Sequence, residues 1–104
     1  MPASYHMYPA ETKLLTFDFS PATGGTFADP LTGTPTITVA PLGTPTGTLT
    51  AGTPTRYTNT VTVLVSATGA VAEDTFIVEC LADTVAGQTL QDNMKITFRA
   101  ATEV

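Results

Sequence analysis

One histidine (His6), one cysteine (Cys80) and nine carboxylates are the groups through which this chain of 104 residues could do chemistry. Catalysis needs such groups to converge as acid, base, nucleophile or metal ligand, and their spacing works against it. His6 lies in Met1-Pro-Ala-Ser-Tyr-His-Met-Tyr-Pro, a segment without periodicity. It reads as a solvated polar residue, because a ligand or a catalytic dyad needs partners held in place. Cys80 alternates with Phe76 and Val78 and so falls on an apolar strand face. With no neighbouring histidine or basic residue to lower its pKa, it reads as a small core hydrophobe. Glu73-Asp74 is the tightest acidic pair, but adjacent strand residues face opposite ways. A calcium site would have to gather Asp83, Asp92 and the Glu73-Asp74 turn from loops meeting at one end of the fold; solvated turns are the plainer reading. Lys95, Thr97 and Arg99 share one strand face, with Arg56 upstream, and make a soluble outer face rather than an anion site. No catalytic, metal-ligating or cofactor-binding residue is assigned.

Composition narrows the class further. Hydrophobic residues make up 42% and charged residues 12% of the chain, which is neither the composition of disorder nor that of a membrane protein. The longest apolar runs, such as Val63-Leu64-Val65, are far short of the ~20 residues of a membrane-spanning helix. With four basic residues and a net charge of −5, the chain has nothing from which to build a phosphate-binding stripe, so nucleic acid is not an expected partner. The first residues lack the basic start and apolar core of a secretory signal. One cysteine cannot close an intrachain disulfide, so a core must carry the stability. Threonine occupies 23 positions, and its branched Cβ suits exposed strand faces.

The elements that must position these groups are strands. Residues 1–12, with two tyrosines, two prolines, His6 and Met7, read as a flexible, extended N-terminal arm; residues 13–104 form the domain. Leu15, Phe17 and Phe19 alternate with polar residues and predict the first strand over 14–19. Ser20-Pro21 ends it, and Gly24-Gly25 makes a turn. Gly-Thr-Pro-Thr then recurs at 33–36, 43–46 and 52–55, a period that implies short strands between similar turns. Ile37 and Val39 mark a strand inside it; the segment 44–55 reads equally as an edge strand or an extended loop. Its prolines suit it poorly to backbone pairing with another chain. Val61, Val63 and Val65 define the next strand, 75–81 another, and Met94, Ile96 and Phe98 the last. Five or more short strands without helical periodicity imply an all-β, antiparallel sandwich or small barrel, and an immunoglobulin-like sandwich of seven strands takes about 100 residues.

Three segments carry a resemblance to a known family. Leu15-Thr-Phe-Asp-Phe-Ser-Pro, Phe76-Ile-Val-Glu-Cys, and Ala82-Asp-Thr-Val-Ala-Gly-Gln-Thr-Leu running into Met94-Lys-Ile-Thr-Phe resemble the opening strand, penultimate strand and closing hairpin of the phage fiber-tail adaptors. These are small immunoglobulin-like virion structural proteins. The chain departs from that pattern in lacking a tryptophan in its middle and in having Gly69 alone where the family has a Gly-Gly turn. The resemblance implies an immunoglobulin-like fold without enzymatic activity, present in many copies in a symmetric assembly. It also implies a place at the neck or tail of the virion, where the protein docks fibers or stabilises the head–tail junction with other virion proteins as partners, after synthesis in the host cytoplasm.

Tyr5, His6, Met7 and Tyr8 are the candidate partner-docking residues, since aromatics and a methionine on an arm gain most from burial by a partner. Two other functions fit a sandwich of this kind. One is a capsid decoration, or cement, protein, which differs from an adaptor in location and copy number. The other is the immunoglobulin-like binding module of a cell-surface adhesin, for which the Thr/Gly/Pro-rich centre argues and the missing export signal argues against.

Overall fold

The computed structural model describes residues 3–19 and 30–99; the turn expected at Gly24-Gly25 lies outside them. The strands are β1 (Ala3–Met7), β2 (Thr12–Asp18), β3 (Leu31–Leu42), β4 (Thr48–Ala51), β5 (Thr55–Arg56), β6 (Thr60–Thr68), β7 (Thr75–Thr84) and β8 (Thr89–Phe98), with no helix among the described residues. They form two sheets. One has the order β1-β8-β7-β3 and the other β2-β6-β4, with β5 continuing along β6.

Alternation decides which side of each strand faces the other sheet. In β2 and β6 the pairs Leu15↔Val63 and Phe17↔Val61 lie in register, all four buried, while Leu14 and Leu64, the next pair along, point to solvent. In the facing sheet Phe76, Val78 and Cys80 of β7 and Met94, Ile96 and Phe98 of β8 are buried in the same period of two. Phe76 and Phe98 meet edge to face, with ring centroids 6.0 Å apart and planes at 85°, the arrangement in which a positive ring edge meets a negative ring face. Phe17, Phe98 and Met7 are the largest fully buried side chains.

The structure departs from the sequence reading first at the N-terminus. Residues Ala3–Met7, expected as a flexible arm, form an edge strand parallel to β8, with Tyr5↔Ile96 and Met7↔Phe98 in register. The sandwich is therefore mixed rather than wholly antiparallel. The physical reason is Met7, fully buried in the core, whose burial stabilises a strand too short to show a period. The segment 44–55 contains both things offered for it: β4 pairs with Thr68 to Val65 and β5 with Val61 and Thr62 along one edge of β6. Gly52 bridges the break by donating its N–H to Leu64 O at 2.8 Å.

The Gly-Thr-Pro-Thr repeats prove to be interruptions. The first is the bulge between Thr32 and Thr36 of β3, the second opens the β3–β4 connection, and the third separates β4 from β5. Gly33 and Gly43 have φ of 71° and 72°, in the left-handed region that glycine enters without steric cost. At the lower end of this side Arg56 donates from Nε to Gly33 O and from Nη1 to Leu31 O, both at 2.8 Å. The guanidinium thereby ties an edge of one sheet to an edge of the other.

The alternation gives a sharp contrast in stability. Phe17→Ala will cost about 3–5 kcal/mol and Leu64→Ala within about 0.5 kcal/mol, read from urea unfolding of each variant; equal losses at the two positions would contradict the assignment of faces.

Candidate docking surface

The four N-terminal residues singled out by type are divided by the period of the strand. Met7 faces the core and is completely buried. Tyr5 lies on the same side nearer the open end and is 39% exposed. His6 faces outward, with Arg99 Nη2 at 3.5 Å from Nδ1 and 3.4 Å from Nε2. A nitrogen nearly equidistant from both ring nitrogens sits against the ring rather than in one linear hydrogen bond. Tyr8 is half-buried; its N–H donates to Glu11 Oε1 at 2.7 Å and its carbonyl accepts from Glu11 N at 3.0 Å. That turn passes the chain from the first sheet to the second. Of these four residues, Tyr5 and His6 are the ones that β1 leaves exposed to a partner without opening the core.

The same end of the sandwich holds the most constrained polar group. Asp74, just before β7, is 6% exposed. Its Oδ1 accepts from Thr46 N at 2.9 Å, and its Oδ2 from Gly47 N at 2.9 Å and Val71 N at 3.1 Å. Burial opposes ionisation, but the three N–H donors outweigh it and hold the carboxyl below the usual carboxylate range. The loops it joins, 43–47 and 69–74, each cross between the sheets. They approach so closely that a Cβ on Gly47 would overlap the backbone of Gly69 and Ala70. Beside them Val39, Pro41, Gly43, Thr48, Leu49 and Phe76 line a groove of about 480 Å³. Its lining carries no charge, so it can hold an apolar side chain and offers no acid or base.

The remaining chemistry-bearing residues are dispersed. Cys80 is fully buried, and desolvation, with the nearby Asp92 charge adding to it, pushes its thiol up to about 12. Asp83 lies at the far end of β7 from Asp74 and accepts from Thr89 Oγ1 at 2.9 Å. Asp92 stands opposite Cys80. The acidic groups weighed for calcium are thus not gathered, and among the described residues no three His, Cys, Asp or Glu side chains are placed to share a metal ion. Lys95 and Arg99 do share an outer face of β8, with Arg56 on the other sheet bound to β3 carbonyls. Asp74 is the residue that sequence reasoning undervalued. It was one half of an acidic pair, and its loop partners lie 27 and 28 residues away. No protein-family model, curated protein or solved structure matches the chain.

Two outcomes follow. Met7→Ala will destabilise the isolated protein by about 2–5 kcal/mol, whereas Tyr5→Ala and His6→Ala will stay within about 1 kcal/mol; an N-terminus that ordered only on a partner would leave urea unfolding of the Met7 variant unchanged. Because the Asp74 pKa is lower in the folded state, its contribution is complete above the unfolded value of about 3.9 and is lost as pH falls through the folded one. Asp74→Asn will therefore lower Tm by roughly 5 °C or more at pH 7 and flatten the acid limb of the Tm–pH curve below about pH 4, as thermal melts between pH 2 and pH 7 will register.

Proposed function

We propose that this chain is a non-enzymatic structural module of a phage particle, an adaptor at the neck or tail that docks fibers or stabilises the head–tail junction. Strand order is the observation that carries the reading. One sheet runs β1-β8-β7-β3 with β1 parallel to β8, and the other runs β2-β6-β4. If β2, β3, β4, β6, β7 and β8 are taken as strands B to G, the two orders read C-F-G and B-E-D, which supports an immunoglobulin-like reading of the sandwich. Within the described residues, the segments that resemble fiber-tail adaptors lie mainly on β2, β7 and β8, whose inward side chains make up much of the core. A fold hosts many functions, so the residue chemistry matters as much. Asp74 is occupied by loop amides, Arg56 by carbonyls, and Cys80 is sealed in the core, which suits a scaffold better than a catalyst.

The test is to image purified particles of the phage encoding this chain, carrying a tagged copy, and to count and locate the tag. A single ring at the neck or tail is the expected result. Hundreds of copies over the shell would replace the adaptor by a decoration protein, and absence from particles would overturn the virion assignment.

A further inference from the structure

The outer face of the β2-β6-β4 sheet is built unlike the rest of the surface. Leu14 and Leu64 are directly opposite each other on neighbouring strands and are 57% and 53% exposed, so they form one apolar patch at its centre. Around them the face is mainly threonine, with Thr16↔Thr62 in register on one side and Thr50 beyond Ser66 on the other. Among the described residues, Asp18 at the margin is the single charged side chain that projects from it. The other charges lie elsewhere. Glu79, Asp83, Lys95 and Arg99 alternate onto the outer face of the opposite sheet, Asp74 is buried, Lys13 and Asp92 alternate inward, and Arg56 is bound to β3.

We infer that this face is a contact between two copies of the chain, packed face to face about a two-fold axis. A molecule of net charge −5 repels its own kind across most of its surface, and here two copies meet without desolvating a cluster of carboxylates. A two-fold contact must be self-complementary. Threonine hydroxyls satisfy this because each both donates and accepts, and a leucine pair satisfies it by meeting a leucine pair. Strands of seven and nine residues, at about 3.4 Å per residue and about 4.8 Å between strands, give a face of roughly 400 Å² per copy. Two such faces fall below the ~1,200 Å² of stable complexes. The contact is therefore weak in solution and becomes effective where many copies are held side by side. The inference stands without the virion assignment.

Sedimentation equilibrium and amide NMR on dilution from about 1 mM to about 10 μM test it. The expected result is a monomer–dimer equilibrium with concentration-dependent shifts at Leu14, Thr16, Thr62 and Leu64, strengthened by salt as residual repulsion is screened. Leu14→Glu and Leu64→Glu should each weaken association at least ~tenfold with an unchanged far-UV CD spectrum. Leu42→Glu, which adds the same charge on the other sheet, should leave it within ~twofold. A monomer throughout the range, association that survives both sheet-face variants, weakening by salt, or an equal effect of Leu42→Glu would each overturn the inference.

Discussion

The sandwich depends on one carboxylate being taken out of water and given three amide hydrogens in exchange. The connections 8–11, 43–47 and 69–74 cross between the sheets at the same end, and crossings are where backbone donors lose their ladder partners. Asp74 collects donors from two of these crossings. Its own carbonyl accepts Phe98 N at 2.8 Å, while Glu73 N donates to Phe98 O at 2.8 Å, so the end of β8 is fastened to the same point. Glu73 adopts a φ of 75° to make this turn, a conformation unusual for a side chain with a Cβ. Thr84 does related work at the other end of β7, its Oγ1 accepting Gln88 N at 3.0 Å. β7 is thus held at both ends by the two buried polar residues of the described chain.

What was legible in the sequence followed from period two. Leu15/Phe17, Val61/Val63/Val65, Phe76/Val78/Cys80 and Met94/Ile96/Phe98 each bury alternate residues, and their strands appear where the alternation stands. β1 was not legible because its partner is the last strand in the chain, and a parallel pairing across some ninety residues leaves no local mark. The only available signal was Tyr5 and Met7 alternating with Ser4 and His6. Grouping Tyr5 to Tyr8 by residue type overlooked that a strand sends neighbours in opposite directions. Asp74 was hidden for a different reason: hydrogen bonds to backbone amides leave no signature in the residues that donate them.

The same strands show how a threonine-rich sandwich limits edge-to-edge pairing. β1 has only five residues. Lys13 stands on the inward side of edge strand β2, opposite Val65. Pro35 and Pro41 remove donors from β3, and Pro54 lies in the break between β4 and β5. Each device leaves the face of a sheet untouched while blunting its rim, so copies of this chain are directed toward meeting through faces.

The parallel pairing of β1 with β8 also has a mechanical meaning. Tension applied between the two ends pulls Ala3 and Arg99 from opposite ends of one strand pair. The interstrand hydrogen bonds, with Arg99 N bonded to Met7 O at 2.9 Å beyond the last of them, then bear load together in shear rather than opening one after another like a zip. Met7, wedged beneath the pair, must leave the core before the strands can slide. A module joined to its neighbours through its termini would yield abruptly and late, and would transmit force with little extension until then.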